Sequence, residues 1–448
     1  RGANLAGAEL RGVNLRGVDL RGANLEQAIL LYADAIEANF SEANLQAAQL
    51  SKAFLNLANL SNANLRGADL GESRLVGAEL TEANLQEALL TEANLVGANL
   101  TRANLARANL SGADLRGAQL HGAILDKMLY NYRTLFDRTL DLSEYDAYLI
   151  APRVSLHGID LSGANLSRAD LRSADLRDMN LSGAQFVGAN LERANLARVN
   201  LSDANLLEAN LNGANLETSV YSRKTRFPSD FNPLEAGAYL IASGVALSGV
   251  NLNRFELRGV DLSSATLSRA NLSEADLRYS DLSGVNLRRA VLKGALLEQS
   301  DLRNADLTEA ELSDCDLNAA DLRNADLSRA DLRSANLRGV DLRGADLTGT
   351  RLHCADLSLA DLRNADLTRT DLSEANLGGV NLRKSELVQV NLEMANLQDA
   401  DLSEAILFRV SLRGANLQET CLSGAELKEV LVMDGAAMSK PPSALGHQ

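Results

Sequence analysis

Tryptophan is absent, and eight Tyr and eight Phe are the only aromatics in 448 residues. A core built on large rings is therefore excluded. Four histidines (His121, His157, His353, His447) lie far apart, and no Ser/His/Asp or Cys/His set converges at a readable spacing, so nothing supports nucleophilic or acid–base catalysis. Cys315, Cys354 and Cys421 show neither disulfide nor metal spacing and are expected to be reduced and incidental. No Gly-rich phosphate loop precedes a helix. Apolar runs fall far short of the roughly 20 residues of a membrane helix, and mean hydropathy is -0.11. The net charge of -15 repels nucleic acid and anionic lipid. These absences leave no catalytic residue, metal ligand or cofactor site to nominate, and the chain reads as a non-enzyme. The sequence opens "RGANL", inside a repeat and without Met. The true N-terminus is therefore expected to precede Arg1. A cytoplasmic location is expected, with thylakoid, periplasmic and membrane-anchored locations left open.

What the chain has in abundance is a period of five. Leu recurs from Leu5 to Leu125, from Leu156 to Leu216 and from Leu247 onward, giving 25, 13 and 38 repeats. Only Ala35, Phe40, Phe186 and Val432 replace Leu at the centre. A small residue, usually Ala, sits two before each centre, Asp or Asn one before, and Ser, Thr or Arg after. Five matches neither the 3.6 of a helix nor the 2.0 of a long strand. Within one repeat, however, Ala and Leu are two apart and face one way, while the Asp/Asn between them faces the other. Each repeat is thus a very short strand with an apolar inner side, followed by a polar corner. Stacked in a solenoid, such repeats bury a column of Leu beside a column of Ala.

This A-(D/N)-L-x-x pattern resembles the pentapeptide-repeat family. The resemblance implies an all-β fold, a right-handed quadrilateral parallel β-helix with four repeats per coil. It implies 19 coils for the 76 repeats, a rod of roughly 90 Å at about 4.8 Å per coil.

Two stretches break the period, and they are twins. "YNYRTLFDRTLDLSEYDAYLIAPRVSL" from Tyr130 and "YSRKTRFPSDFNPLEAGAYLIASGVAL" from Tyr221 align at an offset of 91, with "AYLIA" identical at 147–151 and 238–242. Each spans six repeats plus one residue, which explains the slips in register. Together they hold nine of the sixteen aromatics. Asn232-Pro233-Leu234-Glu235 reads as a capping box, with Asp141 and Glu144 in the same places of the first copy. The fold is therefore expected to carry two short helical inserts, near 143–151 and 234–242. The organisation expected is β-helix 1–130, insert 131–151, β-helix 152–221, insert 222–242, β-helix 243–432 and a tail 433–448. If each insert accounts for two faces of a continuous rod, both project from one side.

Outward columns follow from residues 20 apart. One carries Asp261 to Asp361 flanked by Arg303, Arg323, Arg343 and Arg363, an ion-pair ladder. Another carries Asp306, Asp326, Asp346 and Asp366 beside Thr308, Ser328, Thr348 and Thr368, with no such basic column. Repulsion along it is expected to raise its carboxylate pKa values. That stripe, with Tyr148, Phe227, Phe231 and Tyr239 of the inserts, forms the candidate partner-binding set. The function expected is a non-enzymatic scaffold positioning protein partners, with no nucleic acid. The T-x-F-P…F-x-P pattern of "TRFPSDFNP" resembles interruptions in cyanobacterial members of the family, which suggests a photosynthesis-related assembly. The alternative, which the family resemblance implies, is a DNA mimic binding a type II topoisomerase. Acidity agrees with it; the Arg ladder, the length and the tail do not.

Overall fold

Every repeat folds as one wall and one corner of a coil. A computed structural model describes residues 1–137, 140, 142 and 145–431. Val432, the tail 433–448 with His447, and the Asp141/Glu144 pair lie outside them. Parallel bridges join residues 20 apart throughout the repeats, as in Asn24 to Asn44 to Asn64 and Asp301 to Asp321 to Asp341. Four repeats therefore make each coil. Inside, Leu and Ala alternate and are almost wholly buried. At each corner the Ala N–H donates to the preceding Leu carbonyl, as in Ala28 to Leu25 (3.0 Å). The residue before that Ala has positive φ, as in a type II turn. Asp or Asn precedes the centre because its Oδ1 accepts the N–H two residues on, as Asn24 does from Glu26 (3.2 Å). Stacked amides also bond up the column, Asn64 to Asn44 at 2.9 Å.

The chain divides into two units, Arg1–Ala238 and Tyr239–Gln448. In the C-terminal unit the repeat runs unbroken, and three strands, Glu386–Val388, Ile406–Phe408 and Glu426–Lys428, pair in parallel in the order 386↔406↔426.

The expectation of two helical inserts fails, since no α-helix forms among the described residues. The AYLIA segments hold short strands instead, β2 (Tyr148–Leu149) in the first copy and Tyr239–Leu240 in the second. β1 (Leu129–Tyr130) pairs with β2 in parallel, Leu129↔Tyr148. In the first copy a ready strand edge outcompetes local helix propensity: Tyr148 N–H donates to Met128 O (2.8 Å) and Ile150 N–H to Tyr130 O (2.7 Å). In the second copy the capping signal works but yields a single turn. Asn232 Oδ1 accepts Leu234 N–H and its amide reaches Glu235; then Gly237 at φ +88 ends the turn.

The extra residue lies early in each insert. Leu135 bridges Asp114 and Arg226 bridges Asn205, each 21 apart instead of 20. Both inserts lock this step alike. Thr134 Oγ1 donates to Leu110 O (2.9 Å) and accepts Asn131 N–H (3.0 Å). Thr225 Oγ1 does the same with Leu201 O (2.8 Å) and Ser222 N–H (3.0 Å).

After the first insert the chain does not rejoin its own stack. Coil bridging restarts with Ser155↔Asp175, and the buried residues fall into two cores, one over 20–128 and one over 129–238. The N-terminal unit therefore holds two stacks instead of one continuous rod, which removes the premise for counting faces. The second stack begins against the side of the first. Its opening coil has no coil beneath it, so carbonyls that would accept from a preceding coil are exposed, an open sheet edge. Side chains of the first stack cover them: Arg107 donates to Ser162 O, and Asn109 Nδ2 to Asn165 O (2.8 Å). The outward column Leu89, Asn109, Leu129 is consequently buried. Truncating the buried Asn109 side chain strands the half-buried Asn165 carbonyl, so Asn109→Ala is expected to cost about 1–3 kcal/mol. The equivalent change at the exposed outward amide Asn4 should cost far less, a difference that denaturant melts of the two variants would read.

Candidate functional site

The inserts gather rings because their corners leave the repeat. Tyr130 and Phe136 meet edge-on at 6.2 Å, and Tyr221 and Phe227 do so at 5.4 Å. The second insert adds Phe231, stacked on Phe227 at 5.5 Å; the first has Leu140 there. Tyr148, Phe227, Phe231 and Tyr239 are all half-buried. Burial, then the nearby charges of Asp146 and Asp160, push the Tyr148 phenol pKa up, so its hydroxyl stays a donor. The most exposed apolar groups of the inserts are others: Tyr132 at 79%, Leu234 at 64% and Leu135 at 43%. Sequence reasoning missed these. Tyr132 follows by two Tyr130, which holds the centre position of one more repeat after Leu125, and that corner position, which points into solvent, was the available signal.

Where the two stacks of the N-terminal unit meet, a cleft of about 380 Å³ opens between Glu72, Glu92, Arg133, Pro152, Arg168 and Asp170. Arg168 reaches Glu72 at 3.3 Å across it. No sequence spacing marks this cleft, because its walls are 96 residues apart in the chain.

The acidic stripe stacks as expected, Asp306↔Asp326↔Asp346↔Asp366, and all four are half-buried. The expected upward pKa shift is corrected at Asp326. Burial pushes its carboxyl up, but the Ser328 hydroxyl and N–H, the Thr308 hydroxyl and the charge of Arg288 outweigh burial and hold it below its ordinary value. Each corner also donates to its own Asp, as Thr308 Oγ1 does to Asp306 (2.6 Å). Arg288 stands 3.8 Å from Asp306, so the stripe has a basic neighbour at one end.

The neighbouring ladder is an alternating ion-pair chain. Arg303, Arg323, Arg343 and Arg363 lie 2.5 to 2.7 Å from their own Asp, and the first three lie 3.6 to 3.7 Å from the next. The most enclosed carboxylate is Asp276, 7% exposed and 2.6 Å from Arg278. Burial pushes its pKa up, but the bonds from Arg278 more than reverse this, leaving it below the ordinary value. A carboxyl depressed by folding contributes stability that is present above the unfolded pKa, about 3.9, and lost as pH falls through the folded one. Asp276→Asn should therefore lower stability at pH 7 by about 1–2 kcal/mol, with the difference from wild type closing below about pH 4. Urea melts at pH 7, 5, 4 and 2.5 check it.

The coil also joins residues that the sequence reading kept apart. His353, Cys354 and Glu374 bring donor atoms within 4.8 Å of one another. The signal was arithmetic: 354 plus one coil of 20 is 374. Among the described residues no helix is long and apolar enough to cross a membrane.

Compared with known proteins, the chain matches the family described as "Pentapeptide repeats (8 copies)" over 1–56, 58–127, 153–219 and 243–431. A search of curated proteins finds no match. Among solved structures it is similar to HetL, a pentapeptide repeat protein involved in heterocyst differentiation regulation from the cyanobacterium Nostoc sp. strain PCC 7120. Identity is 26% over 64% of this chain and 90% of that one, with a TM-score of 0.27. It is also similar to QnrB1, a plasmid-mediated fluoroquinolone resistance protein, with 20% identity over 43% of this chain and 92% of that one, and a TM-score of 0.28. Rfr23 from the cyanobacterium Cyanothece 51142 is 35% identical over 27% of this chain and 64% of that one, with a TM-score of 0.09. With the family's repeat matched over most of its length and stacked at 20 residues per coil, this chain belongs to the pentapeptide-repeat family.

Proposed function

We propose that the chain is a non-enzymatic scaffold that holds protein partners, docking them chiefly at its two inserts. The observation that carries this reading is the exposure of Tyr132, Leu135 and Leu234 on the inserts, beside the half-buried rings of Tyr148, Phe227, Phe231 and Tyr239. A rigid backbone presenting apolar anchors loses little entropy on binding, and aromatic anchors dominate interface energies. The hydroxyl-flanked stripe Asp306, Asp326, Asp346 and Asp366 offers a second surface, suited to a basic segment. The likeness of "TRFPSDFNP" to cyanobacterial interruptions supports a photosynthesis-related assembly as the setting. The Arg ladder argues against a DNA mimic, because paired guanidinium groups interrupt the negative field.

Immobilised full chain, challenged with lysate of the native cell, should retain protein that the Tyr132→Ser/Leu234→Ser double variant loses. Both residues are exposed, so the fold should survive. Identical capture by both forms would overturn docking at the inserts. Inhibition of gyrase supercoiling at low concentration would favour the mimic instead.

A further inference from the structure

Cys354 and Glu374 occupy the same corner position in successive coils, with φ +58 and +59. Equivalent corners of a β-helix lie one strand spacing apart and project side chains in parallel. The backbone itself thus sets the thiol and the carboxylate side by side, Sγ to Oε2 at 3.7 Å. His353, the residue before Cys354, brings Nε2 to 3.3 Å from Sγ. Ligands of a tetrahedral zinc ion, at about 2.0–2.3 Å from the metal, are separated from one another by about 3.3–3.6 Å. The two separations here are close to that spacing.

The imidazole is also held in the tautomer that a metal needs. Its Nδ1 lies 3.0 Å from Ser373 Oγ. That hydroxyl donates its own proton to Asp371 Oδ1 (2.7 Å), so it accepts from His353 Nδ1–H. Nε2 is left with a free lone pair on the side of Cys354. Asp371 is anchored in turn by Ser373 N–H (3.2 Å) and Asn391 Nδ2 (3.0 Å). A carboxylate–hydroxyl–histidine relay of this kind is the outer shell that orients ligating histidines.

We propose that His353 Nε2, Cys354 Sγ and Glu374 bind one divalent cation of borderline softness, of which zinc is the type, with water completing four-fold coordination. An imidazole, a thiolate and a carboxylate together suit zinc better than magnesium or calcium, which prefer oxygen alone. On binding, the Cys354 thiol releases its proton to solvent and its sulfur becomes the anionic ligand. This site is independent of docking at the inserts, and a failure of either leaves the other standing.

Cobalt(II) serves as the probe, because thiolate ligation gives a near-ultraviolet charge-transfer band. Titrated into the reduced full chain, cobalt should produce that band with a stoichiometry of one, and zinc should abolish it by competition. Cys354→Ser should remove the band. The variant should fold, since Ser334 holds the same corner one coil earlier at φ +57. Glu374→Gln and Ser373→Ala should each weaken binding by about 10- to 100-fold, while Cys421→Ser leaves it unchanged. A folded wild type that gives no band, or a band that survives in Cys354→Ser, would overturn the assignment.

Discussion

Leu322→Asp is expected to unravel the coils around it, while Arg323→Ser in the next position leaves the melt unchanged. The two side chains are neighbours in sequence and opposites in environment. Leu322 is 0% exposed within the Leu column. An aspartate there has no cation to meet and no water to solvate it, so it adds the cost of an unpaired charge to the loss of apolar burial. Together these should reach at least about 4 kcal/mol, the range in which single substitutions are exceptional. A solenoid is stabilised by nearest-neighbour interfaces, so damage to one coil exposes the edges of two others. Arg323 sits outside, 38% exposed between Asp321 and Asp341, where solvent screens its pairs. Circular dichroism melts and limited trypsin digestion of both variants decide it. Equal shifts would contradict the inward and outward assignment.

The second large effect is expected at Gly237. Positive φ alone is ordinary here, since corner after corner carries Glu, Arg or Asn near +60. Gly237 differs in being at φ +88 with a β-carbon position only 3.2 Å from Glu217 Cα and 3.7 Å from Glu217 N. The obstacle is backbone, so it cannot swing aside. The contact is also pinned, because Thr218 N–H donates to Gly237 O at 2.9 Å. Gly237→Val should cost about 2–4 kcal/mol from strain and crowding combined. The matched control is Gly249, at φ +71 with nothing within 4 Å of its β-carbon position. Gly249→Asn should melt close to wild type and Gly237→Asn clearly below it. If the two Asn variants melt together, crowding against Glu217 is not what requires glycine.

By itself the sequence determined the inward wall of every repeat. A period of five with Ala and Leu two apart admits only an inward apolar wall; the four repeats per coil, which the family resemblance implied, then align Asp301 with Asp321. The sequence also established that the inserts are twins and that each carries one surplus residue. These features depend on neighbours in the chain or one coil away, so spacing encodes them. Tertiary structure decided what depends on an edge. AYLIA contains a good helix start nearby, yet Tyr148–Leu149 joins Leu129–Tyr130, because an open strand offers hydrogen bonds that a short isolated helix cannot match. The second stack of the N-terminal unit begins beside the first because its open edge finds Arg107 and Asn109. Nothing in the repeat distinguishes that Asn from the others. A buried donor is recognisable only once the carbonyl it must satisfy has been brought to it from 56 residues away.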